Sequence, residues 1–414
     1  MPRGLFIVLD GGRGQRLSPL TDNCPKALLR FGPGVRIIDF ALYNCLISGD
    51  ADVVVASPYF FKPISLYVNL YWRGPFTARG RGLLVPAGPK ALSGQLLGAG
   101  DMVLWALLKV PARPEYVVVL SGDHIYQMDY RPLIASHQAS GAAVTLAAVP
   151  GEREHGPGGA WLGLEEPEGK AVVLSGREGP AGTGAWAGRP LRAMGLYVFS
   201  YQALRERLER GPRGQGRDLM AEVAGPLAAE GAARGYVFTG PEGRGGYWRE
   251  VDDLYSYWRT HLELLEGRLK DLAAGPVPGA TRPPTARFNL VHKYVSGGKR
   301  ILNSMISDTA TIGKATVENA VIAPGVRIED HAVVKRAVVL DAAVVRKGAT
   351  VTEALVEANA DIKPRLASAS PAERADRGLN QSLGLHPMIS APESDPGPDP
   401  GRRPAGSAKT ATEH

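Results

Sequence analysis

The residues best equipped for chemistry follow an apolar run at the N-terminus, in the stretch Asp10-Gly11-Gly12-Arg13-Gly14-Gln15-Arg16. Gly11, Gly12 and Gly14 carry no side chains. Backbone N–H groups there can approach a phosphate closely and adopt positive φ where a turn needs it. Arg13, Arg16 and, further on, Lys26 add cations at the same end of the chain's first strand. A glycine-rich loop after one strand is also how an ordinary tight turn reads. This one is not followed by Gly-Lys-Ser/Thr and lacks the G-x-G-x-x-G spacing that opens a dinucleotide-binding helix. Those two phosphate-binding folds are therefore disfavoured.

Such a loop must be held by a scaffold. Residues 1 to about 275 alternate short β-rich runs with helical ones, the pattern of a sheet layered by helices. Strands are expected at Leu5–Leu9, Val53–Ala56, Tyr116–Leu120, Ala143–Val149 and Leu196–Phe199, and amphipathic helices at Asp101–Leu108 and Arg131–Gln138. Runs as apolar as YVVVL imply burial on both faces, as in a parallel sheet. Residues 276 to about 300 read as a connector, because the proline-dense GPVPGATRPPT favours neither helix nor central strand. Beyond it Val333, Val339, Val345 and Val351 recur every six residues, as do Ile322, Ile328, Val334 and Leu340, with Ile306 and Ile312 an earlier pair. That period fits neither a helix nor a simple strand, but it suits a parallel β-helix with one face per hexapeptide. A β-sandwich of short valine-rich strands is the competing reading. Residues 276–363 are thus assigned to connector and β-helix. Residues 364–414, rich in proline and without apolar periodicity, read as a disordered tail.

Composition narrows the partners. The chain has 414 residues and a formal net charge of +7. The excess is spread thinly, +3 over residues 1–275, +4 over 276–363 and none beyond. No aromatic residues are interleaved with clustered Lys and Arg, so a nucleic-acid partner is not expected. Cys24 and Cys45 are the only cysteines and form no redox or zinc motif, which suits a reducing compartment. The N-terminal apolar run is too short for a signal sequence or a membrane span. The expectation is a cytoplasmic protein with no membrane partner.

A longer string sharpens the reading. G-x-G-x-R-L-x-P-L-T, then Pro25-Lys26 and a glycine-containing turn, resembles the signature of sugar-nucleotide pyrophosphorylases. Four further segments are similar to the bacterial ADP-glucose pyrophosphorylase family, and they occur in its order: RIIDFALYNCLISG at Arg36–Gly49, LSGDHIYQMDY at Leu120–Tyr130, AMGLYVFS at Ala193–Ser200, and GYWREVDDLYSYWRTHLELL ending at Leu265. The resemblance spans residues 4 to about 360. It implies an α/β fold: a nucleotide-diphospho-sugar transferase domain with a Rossmann-like, mostly parallel sheet, followed by a left-handed parallel β-helix. It also implies synthesis of ADP-glucose and pyrophosphate from ATP and glucose 1-phosphate with Mg2+, in glycogen or α-glucan formation. Allosteric control and assembly into a homo- or hetero-oligomer with a paralogous subunit complete the implied picture.

Carried over residue by residue, the resemblance gives Arg16, Lys26 and Asp123 the catalytic roles. Gly11, Gly12, Gly14 and Arg16 would hold the triphosphate, and Gly98 and Asp101 match part of the family's G-T-A-D-A turn beside the nucleotide. Asp123 and Glu250 would bind the metal, Glu250 standing where the family's Y-W-R-D-V-G string has aspartate, with Asp252 and Asp253 just behind. Gly179, Ala193, Gly195 and Trp248 match the sugar-phosphate pocket. Gly179 stands at the lysine of the family's E-K-P triplet, leaving Arg177 as a possible substitute, and Ala193 replaces a serine. Gly88 stands near an expected adenine-contacting glutamine. Asp10 replaces an alanine and would repel phosphate unless paired with an arginine or a metal. Two histories fit these departures: an enzyme that has drifted in substrate or efficiency, and a catalytically weak regulatory subunit of an active paralogue. A different sugar-nucleotide specificity is a further alternative.

Other residues read as structure. His124 invites a general-base role, but phosphoryl transfer needs little base catalysis, so a hydrogen-bonding histidine is expected. Trp258 is expected to pack a helix on the sheet, Asp39 and Asn44 to brace the sugar site, and Asp218 to cap a helix or match the family's G-K-D string. The arginines at 205, 207, 210, 213 and 217 read as a solvated helix and loop, with an effector site resting on analogy alone.

Overall fold

The computed structural model describes residues 4–10, 12, 14–32, 34–87, 98–110, 113–150, 161–165, 170–174, 191–210, 216–240, 245–267, 288–364 and 385–387. Its centre is a nine-stranded sheet in the order Leu83–Leu84, Asp52–Ala56, Leu5–Leu9, Tyr116–Ser121, Leu191–Ser200, Val144–Pro150, Ala233–Val237, Lys170–Leu174 and Trp161–Glu165. Leu5–Leu9 pairs in parallel with Asp52–Ala56 on one side and with Tyr116–Ser121 on the other. Leu191–Ser200 and Lys170–Leu174 run against their neighbours, and the remaining strands share one direction. The sheet is therefore mostly parallel with two reversed strands.

The central strands are apolar through their interiors because both faces are covered. Phe6, Val8, Val53, Val55, Val118 and Leu120 point into one core with Ile38, Leu42, Ile64, Val68, Leu133 and Ile134 from helices Ile37–Ile47, Phe61–Tyr71 and Arg131–Ser140. Leu5, Ile7, Val54, Ala56, Val117 and Val119 point into the other, against Val103, Leu107, Leu204 and Leu208 from helices Ala99–Leu107 and Tyr201–Arg210. Alternation along each strand thus sorts side chains between two cores rather than between core and water. Leu191–Ser200 begins five residues before the stretch that its hydrophobic pattern predicts. Gly195, at φ 63°, sits within a shift of register between Ala193 and Tyr197 that breaks the alternation.

The C-terminal part is a parallel β-helix. Ile301, Val317, Val334 and Val351 stack in register, as do Ile306, Ile322, Val339 and Val356, and Ile312, Ile328, Val345 and Ile362. These three rows make the three sides of each coil. Sides span five or six residues, so a coil takes 16 or 17 residues rather than three whole hexapeptides. A strict period of six therefore drifts off the core: Val333 is only half-buried, and Leu340 packs outward against the N-terminal domain. Positive φ at Asn303, Asn319, Arg336 and Glu353 marks one corner through successive coils, with Asn303 Nδ2 donating to Asn319 Oδ1 at 2.8 Å. The stretch expected to be a disordered tail contains one described strand. Leu385–Pro387 lies antiparallel on Thr350–Val356, with His386 Nε2 against Glu357 Oε1.

Helix Leu254–Leu265 joins the two halves. Asp253 caps it, accepting from Ser256 N–H at 2.7 Å. Tyr257, Trp258, Leu262 and Leu265 meet Met305, Val321, Val338 and Leu355, a row on the outer face of the β-helix. Trp258 Nε1 donates to the Arg336 carbonyl at 2.9 Å. Trp258 thus packs its helix on the β-helix, a correction to the expectation that it faces the sheet, because the helix presents its apolar stripe to the second domain.

Candidate active site

The site lies beyond the carboxyl ends of Leu5–Leu9 and Tyr116–Ser121, where open α/β sheets place ligands. Asp10 follows the first strand and Asp123 the second, and Gly122 N–H donates to the Leu9 carbonyl at 2.8 Å, locking the two strand ends together. Gly14 turns the loop at φ 68°, and a Cβ there would meet Thr21 Cγ2 at 3.0 Å, so glycine suits the position twice over. Gly12 faces open space. Gly11 and Arg13 lie outside the described residues, as do Gly88, Arg177 and Gly179.

Lys26 opens a short 3-10 turn entered from Pro25 and is 7% exposed. Its Nζ lies 2.8 Å from Asp123 Oδ2 and 3.3 Å from Asp252 Oδ1. Arg16, on a separate 3-10 turn, places Nη2 2.8 Å from Asp252 Oδ2. The short strand His124–Tyr126 pairs antiparallel with Trp248–Glu250, with Glu250 opposite His124. That register brings distant acids together: His124 Nε2 is 3.6 Å from Asp123 Oδ1 and 3.9 Å from Glu250 Oε1. Arg192 Nη2 approaches Glu250 Oε2 at 3.4 Å, and the Ser121 hydroxyl donates to Asp123 Oδ1.

These contacts set the charges. Burial alone would push the Asp123 carboxyl up, but Lys26, His124 and Ser121 outweigh it and hold the group well below the ordinary carboxylate range. Burial also opposes the His124 cation, yet Glu250 and Asp123 raise its pKa above the ordinary value. The ring is engaged on both sides by carboxylates, Asp123 and Glu250, which favour its protonated form. Glu250, opposed by burial but favoured by His124, is lowered. Lys26 is raised, since Asp123 and Asp252 overcome its burial.

Asp10 behaves differently from the expectation that it needs an arginine or a metal. Its partner is Ser57, whose hydroxyl donates to Oδ2 at 2.6 Å, and burial with help from Asp123 pushes its pKa to about 7. The fold accommodates this extra acid by holding it as a partly neutral, hydrogen-bonded group.

The other expected site residues make the following contacts. Asp101 is buried, and its Oδ2 accepts from the backbone N–H groups of Gly98, Gly216 and Arg217 at 3.3, 3.1 and 3.1 Å. A Cβ on Gly98 would strike the Arg217 carbonyl at 2.1 Å. Both residues therefore cap a helix and knit it to the 216–217 segment. Trp248, at 1% exposure, lies edge-on beneath His124, ring centroids 5.1 Å apart, and supports that ring. Ala193 and Gly195 are half-buried on the Leu191–Ser200 strand, and a Cβ on Gly195 would meet His124 Cε1 at 3.2 Å.

Asp39 and Asn44 are buried braces. Asp39 accepts from Trp72 Nε1 at 2.8 Å and from the Tyr67 hydroxyl, and Asn44 ties its helix to Tyr126 and Met128. Asp218 caps, accepting from Ala221 N–H at 2.6 Å. On the Tyr201–Arg210 helix, Arg205 and Arg210 pair with Glu209 and Glu206, as a solvated face would.

Two further residues join the cluster: Asp252, which in the sequence only trails the metal string, and Arg192. A lone arginine in the apolar run LRAMGLYVF was the available signal, since a charge inside a buried strand implies a partner.

Two carboxylates set beside a buried lysine and a glycine-bearing turn define a phosphate-handling, nucleotidyl-transfer type of site. The family described as nucleotidyl transferase matches residues 5–267, and the GlmU-like C-terminal hexapeptide family matches residues 284–377. The chain belongs to the nucleotidyl transferase family. It is similar to proteins named glucose-1-phosphate adenylyltransferase: 32% identical over 355 residues to that of Haemophilus influenzae (81% of this chain, 80% of the relative). The relative from Rhizobium rhizogenes is 31% identical over 354 residues (81% and 83%), and that from Corynebacterium glutamicum 29% over 355 residues (82% and 85%).

Proposed function

We propose that this protein is a glucose-1-phosphate adenylyltransferase. A phosphate oxygen of glucose 1-phosphate attacks the α-phosphorus of ATP, the bond to the β-phosphate oxygen breaks, and ADP-glucose and pyrophosphate leave. The observation that carries the reading is the Lys26–Asp123–Glu250 cluster, at the strand ends and beside the glycine-bearing turn. Lys26 and Arg16 neutralise the triphosphate, so that catalysis is mostly orientation and charge stabilisation. Asp123 and Glu250 are hard oxygen donors in neighbouring positions, a set that fits Mg2+ completed by phosphate oxygens, and they are the residues that would hold it. When bound, Mg2+ would draw charge off the phosphate groups. The product feeds glycogen or α-glucan synthesis, under allosteric control and in the cytoplasm. Among the described residues no helix is long and apolar enough to cross a membrane.

The second reading is a weakly active regulatory partner of an active paralogue. It is favoured by Gly179 at the family's lysine and by Asp252 holding both Lys26 and Arg16. Pyrophosphate release from MgATP and glucose 1-phosphate by the purified protein separates the two. Turnover that disappears in Asp123→Ala supports the enzyme. A silent protein that boosts an active paralogue in mixtures supports the partner.

A further inference from the structure

We infer that Asp252 is an internal rival of the nucleotide's phosphates, occupying the two cations that the triphosphate must use and thereby setting nucleotide affinity. This rests on the assignment of Lys26 and Arg16 to the triphosphate. The family string Y-W-R-D-V-G ends in glycine, where this chain has Asp252. One carboxylate serves both cations, Oδ1 toward Lys26 Nζ at 3.3 Å and Oδ2 toward Arg16 Nη2 at 2.8 Å.

The carboxylate is presented by a rigid support. Asp252 N–H donates to Ser256 Oγ at 2.9 Å, and the next residue caps helix Leu254–Leu265, whose opposite face is locked on the β-helix through Trp258 and Val338. Asp252 therefore does not depend on a wandering loop to find its partners. The exchange itself is easy on the solvent side. The Arg16 side chain is 70% exposed and that of Asp252 27%, so rotation of side chains is enough to free both cations. Lys26 keeps its deeper contact with Asp123 throughout. An incoming polyphosphate has to break two charge-assisted contacts and then sit beside the displaced carboxylate, and both effects weaken its binding.

The test is calorimetric binding of inorganic tripolyphosphate, without Mg2+, to the wild-type protein, Asp252→Asn and Asp252→Gly. Tripolyphosphate probes the cations without adenine or sugar. We expect both variants to bind about tenfold more tightly, with a gain that shrinks at high salt, and with the effect in turnover assays falling on the KM for ATP rather than on kcat. Equal or weaker binding by both variants overturns the inference. Tighter tripolyphosphate binding with no adenylyl transfer in any of the three proteins would sink the proposed function and leave the role of Asp252 standing. Normal turnover with unchanged tripolyphosphate binding would do the reverse.

Discussion

Lys26 Nζ stands 2.8 Å from Asp123 Oδ2, with side chains only 9% and 11% exposed. Neither charge has water to fall back on, so the pair answers for both folding and chemistry. Removing one partner of a buried pair costs about 3–5 kcal/mol. Lys26→Ala should lower stability by about 3 kcal/mol in urea denaturation and reduce kcat/KM at least about a hundredfold in pyrophosphate release. The Lys26→Ala/Asp123→Ala double variant should lose less stability than the sum of the singles. Additive losses would show that the two charges do not depend on each other.

Gly195 has φ 63°, and an added methyl would press on His124 Cε1 at 3.2 Å. Gly195→Ala should cost about 1–2 kcal/mol from the left-handed backbone alone. It should also lower kcat/KM, because His124 stands between Asp123 and Glu250. Thermal melting together with steady-state kinetics checks both parts, and a variant normal in both would refute the prediction.

His261 is 2% exposed, edge-on to Tyr257 at 4.4 Å, and its Nδ1–H donates to the Tyr257 carbonyl at 2.7 Å. Burial pulls its pKa from 6.5 to about 4. The unfolded chain therefore binds a proton that the folded chain refuses. Stability should be intact above pH 6.5 and be lost as pH falls toward 4, with roughly 2 kcal/mol gone at pH 5. His137 is lowered in the same way and adds to the slope. His261→Leu should flatten the dependence of urea midpoints between pH 7 and 5; an unchanged slope would count against this assignment.

Trp258 is 3% exposed where the two domains meet. Trp258→Ala should cost about 3–5 kcal/mol and uncouple the two domains in differential scanning calorimetry. A single sharp transition at the wild-type temperature would contradict that.

The sheet strands were legible because each holds a short, nearly unbroken apolar run, and the glycine loop because its residues are adjacent in sequence. The β-helix was legible in kind but not in exact period, since each coil falls one or two residues short of three hexapeptides and shifts which valine points inward. The site was half visible. Asp123 and Glu250 were found through their strings, but their meeting depends on the pairing of His124–Tyr126 with Trp248–Glu250, which no local pattern encodes. The capping role of Asp101 was not legible, because a capping carboxylate and a ligand carboxylate look alike until their hydrogen bonds are known.

The parallel coils are bracketed by antiparallel strands, Phe288–Ser296 on the first and Leu385–Pro387 on the last. An uncovered coil would offer a row of free N–H and C=O groups to the next molecule, an invitation to end-to-end polymerisation. The closing strand also ends in Pro387, which has no N–H to extend the ladder. Among the described residues, this side of the solenoid is thus covered at both ends by the protein's own chain.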